Sequence, residues 1–194
     1  MKTVHGLGAP ELEINESVLL IGNFDGVHRG HQRLLTRGAS LAKDAGVPLV
    51  VLTFEPHPMA ILRPQHTPER LMTLDAKLGT LEQSGVDTVV VAASTTEFLG
   101  LEAERFIELV VDRLHPIHIV EGSTFGFGKG RKGTPEVLQS LGRRHGFDVC
   151  IIDPVTLRLM GEGTEVSVPV SSSVVRRLVA QGDVHQAGLC LGRS

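Results

Sequence analysis

Short apolar runs recur along the chain, and each is bounded by glycine, proline or polar residues. Runs of this length are typical of buried β-strands, and the proline at position 48 stands at the start of its run, where a strand tolerates it. Six strands are predicted in this way: residues 18–21, 47–54, 88–92, 117–120, 148–152 and 165–170.

Apolar residues at helical spacing fill most of the intervals between these runs. The spacing predicts helices over residues 29–45, 74–83, 102–114, 135–146, 173–180 and 184–191, whereas residues 1–16 have little pattern and residues 62–73 are irregular. Strands that alternate with helices favour an α/β fold with a Rossmann-like, doubly wound, mostly parallel sheet of five to six strands. Ligands of such sheets bind beyond the carboxyl ends of the strands.

The first apolar run leads into the polar loop GNFDGVHRGH, residues 22–31, and then into the first predicted helix. His28 and His31 are three positions apart, so they share one face of a first helical turn. A helix N-terminus has unpaired N–H groups and the positive end of the dipole, which together favour an anion. Gly30 leaves the backbone uncovered between the histidines. The loop therefore predicts a site for nucleotide phosphates, although two histidines alone would indicate only a surface pair.

The other loop residues suit the same interpretation. Gly22 and Asn23 let the backbone approach a nucleotide closely. Asp25 is expected to support the turn by a hydrogen bond rather than to act directly in catalysis.

Three further segments carry candidate chemistry, each with a plainer alternative. TFEPHP, residues 53–58, is a stiff loop in which a histidine is more often a surface residue. GSTFGFGKGRKG, residues 122–133, has five glycines and three cations, which suits either a phosphate-bearing ligand or a solvated basic loop. VSSSVVRRL, residues 170–178, has serines that cap a helix and an arginine that either binds phosphate or lies in solvent.

Composition narrows the class of protein. The 194 residues suit one domain, taken here as residues 1–194, and 41% apolar with 21% charged residues is ordinary for a globular chain. A formal charge of −3 gives no basic field for nucleic acid or an anionic membrane. Neither a signal peptide nor a membrane-spanning run is visible, and Cys150 and Cys190 are expected to be buried thiols. These features predict a cytoplasmic protein and leave its oligomeric state open.

The string around the histidines resembles the H-x-G-H signature of the adenylyl- and cytidylyltransferase superfamily. The fuller GNFDGVHRGHQ resembles the FMN adenylyltransferase (FAD synthetase) module of bacterial bifunctional riboflavin kinase/FAD synthetases. The resemblance runs from about Leu7 to Arg193 and implies the nucleotidyltransferase fold. It makes His28, His31 and Asn23 the catalytic residues. The ATP-binding residues that it implies are Gly22, Phe24, Asp25, Gly30, Ser172, Ser173 and Arg176.

The same resemblance assigns a flavin side to the cleft. TFEPHP is similar to an F-x-P-H-P stretch, and residues 122–133 are similar to a G-x-[DN]-F-x-F-G-x-G-R loop of that family. The flavin-side residues that it implies are Phe54, Pro56, His57, Thr124, Phe125, Phe127, Lys129 and Arg131. Thr124 stands where the family has Asp or Asn, which bears on the identity of the acceptor.

The resemblance implies transfer of AMP from ATP to FMN, giving FAD and pyrophosphate, with Mg²⁺ as the metal and without nucleic acid or membrane partners. No protein ligands for the metal are assigned, because no carboxylate cage is visible. A riboflavin kinase domain follows L-G-R in the bifunctional enzymes and is expected to be absent here. Two alternatives stand beside this reading: transfer to another phosphate-bearing small molecule, and nucleotide or flavin binding without turnover.

Overall fold

The structure, a computed structural model, describes residues 1–161 and 164–193. Of the predicted single domain over 1–194, residues 162, 163 and 194 therefore lie outside the described residues. The strands are β1 Lys2–His5, β2 Ser17–Ile21, β3 Leu49–Glu55, β4 Thr88–Ala93, β5 Pro116–Gly122, β6 Asp148–Ile152, β7 Thr156–Gly161 and β8 Thr164–Pro169.

The α-helices are α1 Arg29–Ala45, α2 Pro58–Leu62, α3 Leu74–Gln83, α4 Thr96–Leu99, α5 Ala103–Leu114, α6 Pro135–His145, α7 Ser172–Ala180 and α8 Val184–Leu191. Short 3₁₀ turns cover Pro64–His66 and Lys129–Arg131. The α1 helix ends at Gly46, whose φ of 71° is left-handed, as the glycine at that position predicts.

Six strands form one parallel sheet in the order β1-β4-β3-β2-β5-β6. The α/β fold with a parallel sheet covered by helices is thus confirmed. All five residues of β2 are buried, because this strand is central and is packed on both faces. Leu19 and Ile21 face α5 and α6, whereas Val18 and Leu20 face α1 and α3. The strand order reverses beside β2, and its carboxyl end is where a ligand crevice is expected.

Two predictions about the strands were wrong. Residues 165–170 do not supply a sixth strand of the main sheet, because β8 pairs antiparallel with β7 in a separate hairpin that packs against α7 and α8. The sixth strand is instead β1, which pairs with β4. This strand lies within residues 1–16, the segment in which the sequence shows little pattern. Within residues 62–73, which were predicted to be irregular, residues 64–66 form a 3₁₀ turn, and α2 includes residue 62.

Candidate active site

The loop after β2 is rigid, and packing explains why. Phe24 and Val27 have φ of 48° and 37°, a left-handed conformation that costs energy for residues with side chains. Both side chains are buried, Phe24 being only 1% exposed, so the core holds them in this conformation. The loop therefore presents the residues on either side of Phe24 in one fixed arrangement.

His28 forms the N-cap of α1, and His31 stacks on it. The Nδ1 atom of His28 accepts a hydrogen bond of 3.3 Å from the backbone N–H of His31, and the two ring centroids are 3.7 Å apart. A Cβ atom on Gly30 would lie 3.0 Å from two atoms of the His28 ring. Gly30 is therefore required for the stacked arrangement, in addition to leaving the backbone accessible.

Both imidazoles are neutral at pH 7. Burial lowers the pKa of His28 to about 4. Burial, and then the neighbouring His28, lowers the pKa of His31 well below its ordinary value. Because Nδ1 of His28 accepts a hydrogen bond, the proton of its neutral ring is on Nε2. The Nδ1 atom of His31 is buried without a hydrogen-bond partner among the described residues. Such an atom is uncommon in a folded protein, and here it belongs to a ring that lines a cavity.

Asp25 joins the loop to α7, which lies 151 residues later in the chain. Its carboxylate accepts a hydrogen bond from the Arg176 guanidinium. Its two oxygens also lie 3.1 and 3.2 Å from the donating backbone N–H of Leu71. The Ser172 hydroxyl donates to the Asp25 carbonyl at 2.8 Å, and Arg176 Nε donates to the Glu69 carbonyl at 2.6 Å. Asp25 thus supports structure, as expected, but by tertiary contacts rather than by a local turn.

One cavity of about 400 Å³ brings the two ends of the chain together. Its size lies within the range of small-molecule sites. Its lining combines residues of the first loop, of the segment after β3 and of α7. They are Asn23, Asp25, His31, His57, Met59, His66, Pro68, Ser172, Ser173 and Arg176.

His57 is the N-cap of α2, and its Nδ1 accepts from the backbone N–H of Met59 at 3.2 Å. Its Nε2 atom lies 3.3 Å from Asn23 Nδ2, so the stretch after β3 contacts the first loop directly. Burial, followed by the nearby Arg176, lowers the pKa of His57. Pro56, which precedes it, forms a cis peptide bond with Glu55.

A smaller cavity adjoins the large one on the β3 side. Asn23, Asp25 and His57 line both cavities, and Phe54, Glu55, Arg70, Met72 and Lys77 complete the smaller one. Lys77 is absent from the residues predicted by sequence. A signal for it exists, because Lys77 lies in helical phase with Leu74 and Leu81 on the buried side of α3.

The glycine-rich loop is anchored to the core. Phe127 is buried, stacks on Phe125 with centroids 5.4 Å apart and packs against Phe106. Thr124 is exposed, and its carbonyl accepts a hydrogen bond of 3.1 Å from Arg131. Lys129 lies 3.7 Å from the Glu102 carboxylate. Within the described part of the chain, Phe54 and His57 line the cavities above, whereas Thr124, Phe125, Phe127, Lys129 and Arg131 do not.

Two kinds of feature are absent from residues 1–161 and 164–193. These residues contain no group of three or more His, Cys, Asp or Glu side chains placed to hold a metal ion. Nor do they contain a helix of the length and apolar character that crossing a membrane requires.

A family model described as FAD synthetase matches residues 11–167. The chain belongs to the FAD synthetase family. Curated relatives are the bifunctional riboflavin kinase/FMN adenylyltransferases of Escherichia coli K12 and Pseudomonas fluorescens. The Escherichia coli protein is 36% identical to this chain over 176 residues, and the Pseudomonas fluorescens protein is 37% identical to it over 194 residues. The matches cover 90% and 100% of this chain but 54% and 60% of those proteins, so this FAD synthetase family chain spans between half and two thirds of their length.

Solved structures support the fold of this FAD synthetase family member. A crystal structure titled as a macrolide-efflux protein from Streptococcus pneumoniae matches with a TM-score of 0.82 and 27% identity, over 100% of this chain and 62% of that one. The pantoate-beta-alanine ligase of Francisella tularensis matches with a TM-score of 0.53 and 9% identity, over 98% and 86% of the two chains. The latter likeness concerns the fold alone.

Proposed function

We propose that this chain is an FMN adenylyltransferase, which transfers AMP from ATP to FMN and releases pyrophosphate. The observation that carries the proposal is the stacked His28–His31 pair at the start of α1, in which His31 lines the same cavity as Arg176 and His28 lies behind it. Two anion-binding motifs from distant parts of the sequence thereby share one ligand-sized cavity.

Adenylyl transfer requires little covalent chemistry from the protein. A phosphate oxygen of FMN attacks the α-phosphorus of ATP, a new P–O bond forms, and the bond to the β-phosphate breaks as pyrophosphate leaves with the electron pair. The protein aligns the two phosphates and stabilises charge on the oxygens around the α-phosphorus. The chain needs no covalent nucleophile, because the acceptor supplies one.

We assign the catalytic contacts to neutral donors. The Nε2–H of His28 and a ring N–H of His31 donate to α-phosphate oxygens, and the free N–H groups of the α1 N-terminus add to them. Asn23 lies beside the same oxygens. Gly22, Phe24, Asp25 and Gly30 shape the loop for the nucleotide.

At the other end of the chain, Ser173 donates to the nucleotide phosphates, and Ser172 does so when its single O–H leaves the Asp25 carbonyl. Arg176 adds a guanidinium suited to bidentate binding. Arg176 exchanges part of its contact with Asp25 for the phosphates when ATP binds. The flavin lies toward Phe54, Pro56 and His57. The roles of Thr124, Phe125, Phe127, Lys129 and Arg131 on the flavin side stay predictions.

One observation supports the binding of magnesium by the residues present. The buried Oδ1 atom of Asn23 has no hydrogen-bond partner among the described residues, and an amide oxygen is a suitable magnesium ligand. Mg²⁺ is commonly held by substrate phosphates and waters with one or two protein oxygens, so a carboxylate cage is not required. When bound, the ion would offset charge on the triphosphate.

The proposal is tested by incubating the chain with ATP, Mg²⁺ and FMN and separating FMN from FAD. We expect FAD and pyrophosphate in equal amounts. If FMN yields no FAD while another phosphate compound releases pyrophosphate from ATP, the chain transfers AMP to that other compound and not to FMN. The observation that favours this alternative is the exposed Thr124. The expectations of a single domain, of no riboflavin phosphorylation and of a cytoplasmic location stay predictions.

A further inference from the structure

Lys77 projects from α3 into the protein rather than into water. It is 6% exposed, and its Nζ atom has a long contact of 3.4 Å with Thr53 Oγ1. Thr53 in turn donates to the Asn23 carbonyl at 3.3 Å. An ammonium group has three donors, and burial of such a group is unfavourable unless an anion or several acceptors compensate for it.

The acidic residues near Lys77 compensate for its burial only in part, because Glu55 and Asp25 favour its charged form through space while burial still lowers its pKa. The Asp25 carboxylate is paired with Arg176, and the Glu55 carboxylate is paired with Arg70. Among the described residues, no carboxylate oxygen lies within 4.0 Å of Lys77 Nζ. Each neighbouring arginine therefore has a directly paired carboxylate, whereas Lys77 interacts with the same two carboxylates only at longer range.

The cavity beside Lys77 has a size that limits what can enter. It measures about 20 Å³, which is room for one water-sized group and hence for one oxygen atom of a larger anion. It opens toward the larger cavity at Asn23, Asp25 and His57, which line both. An anion whose central atom lies in the large cavity can therefore place one oxygen next to Lys77.

We propose that Lys77 binds the phosphate monoester of the acceptor and holds it beside the α-phosphorus of ATP. The inference rests on the proposed function, since it names the residue that receives the phosphate of FMN. Lys77 shares its cavity with Phe54 and Glu55 at the end of β3, whereas Ser172 and Ser173 line only the larger cavity. The lysine is thus on the flavin side of the nucleotide motifs.

The role of Lys77 in the reaction is electrostatic. The dianionic phosphate already carries the oxygen that attacks, so no proton needs to be removed. The ammonium group pairs with a second oxygen of that phosphate and fixes its direction toward ATP. Burial lowers the pKa of Lys77, and the arriving dianion counteracts that effect by favouring the protonated form.

The test compares two flavins that differ only by the phosphate. Binding of FMN and of riboflavin is measured by flavin fluorescence in the wild type and in Lys77→Met, which keeps the length of the side chain and removes its charge. ATP binding is measured by calorimetry. We expect Lys77→Met to weaken FMN roughly tenfold to a hundredfold, as loss of a charge-assisted hydrogen bond does. Riboflavin should bind the wild type and Lys77→Met with the same affinity, and so should ATP.

Other results overturn the inference. An equal loss for FMN, riboflavin and ATP shows that Lys77 only supports the fold, and a loss confined to ATP assigns it to the nucleotide. Should Lys77→Met fail to fold by circular dichroism, Lys77→Gln replaces it. The wild type gives an independent check, because equal affinity for FMN and riboflavin contradicts any site for the acceptor phosphate.

The inference and the proposed function fail in different ways. A wild type that forms no FAD from FMN contradicts the proposed function. A wild type that forms FAD, together with a Lys77→Met variant whose preference for FMN over riboflavin is unchanged, contradicts only the assignment of Lys77.

Discussion

Neutral imidazoles explain how a buried histidine pair can serve phosphate chemistry. Two protonated rings with centroids 3.7 Å apart would repel each other, and burial would penalise both charges. A neutral ring keeps one N–H donor without that cost. Preorganised neutral donors are effective where charge develops in the transition state, because they do not need to reorient.

Replacing either histidine by alanine should therefore affect turnover more than binding. For His28→Ala and His31→Ala we expect kcat for FAD formation to fall roughly a hundredfold or more. The ATP dissociation constant, measured by calorimetry, should change less. His185→Ala is the matched control, because His185 is exposed on α8. Near-normal turnover in both site variants would remove the histidines from the mechanism.

Thr124 is predicted to lie on the flavin side, at a position where the resembling family has Asp or Asn. A threonine hydroxyl replaces only part of the hydrogen bonding of an amide, and an unpaired polar ligand group costs about 1–3 kcal/mol. Thr124→Asn should then tighten FMN binding roughly tenfold to a hundredfold and raise FAD formation. Ser123→Asn, at an exposed neighbouring position, should change neither. Unchanged FMN affinity in Thr124→Asn would argue that this loop does not contact the flavin.

The motif residues that line the larger cavity were predicted from the sequence, because they are polar residues that follow a predicted strand or begin a predicted helix. The sequence could not reveal pairings between distant residues. From the sequence, Phe127 is expected to contact a ligand, because it lies in a glycine-rich loop. In the structure, Gly133 has no side chain and leaves room for the Phe127 ring, which is buried in the core. Lys77 looks like a solvated lysine, because only its helical phase with leucines indicates burial.

Among the structural elements, α1 shows how glycine serves both packing and chemistry. At Gly30 a Cβ atom would crowd the His28 ring at 3.0 Å, whereas at Gly79 in α3 it would meet nothing within 4 Å. The first glycine is therefore constrained by the site, and the second is constrained by neither packing nor chemistry.

Gly30→Ala and Gly79→Ala make a matched pair. Alanine stabilises a helix interior by up to about 1 kcal/mol relative to glycine, so Gly79→Ala should keep or gain stability in urea unfolding. Gly30 lies in the first turn of α1, where a Cβ atom crowds the His28 ring, so Gly30→Ala should not show that gain. Only Gly30→Ala should lose FAD formation, because the His28 ring must move. Full activity in Gly30→Ala would show that the stacked histidine geometry is not needed.

The helix and strand patterns were predicted where they were long and buried on one or both faces. The missed β1 has only four residues, of which Val4 alone is buried, so its pattern is too short to indicate a strand. The alternation in β7 and β8 was visible at Leu157, Leu159, Val166 and Val168. Periodicity does not say which sheet a strand joins, so the predicted strand over 165–170 was counted with the main sheet, and β7 was not predicted.

Across the whole chain, the site depends on contacts between its two ends. Beside the Asp25–Arg176 pair, Arg193 donates to the Gly26 carbonyl at 2.6 Å and Gln32 donates to the Leu191 carbonyl at 2.7 Å. The loop is therefore stabilised by the last helix as well as by the central strand. A change that unfolds the C-terminal contacts should therefore also disrupt the arrangement of the loop after β2.

The buried histidines also predict acid sensitivity. In the unfolded chain a histidine binds a proton near pH 6.5, whereas the pKa of folded His28 is about 4. Between these values the unfolded state binds more protons, so stability is present above pH 6.5 and is lost as the pH falls. The expected slope is about 1.4 kcal/mol per pH unit for each such histidine.

Urea unfolding at pH 7, 6 and 5 measures this slope, and folded His28→Gln serves as the comparison. The variant should lose one histidine's share of the decline in unfolding free energy between pH 6.5 and 4. An identical slope in the two proteins would contradict the burial of a neutral His28.

Transfer of the α-phosphorus is the most direct test of adenylyl transfer to FMN. The chain is incubated with FMN, Mg²⁺ and ATP labelled with ³²P at either the α or the γ position, and the flavins are separated from the nucleotides. The α label should appear in FAD in proportion to the FAD formed, and among the products the γ label should appear only in pyrophosphate. A γ label in the flavin, or an α label that stays entirely with adenine nucleotides, would contradict the assignment.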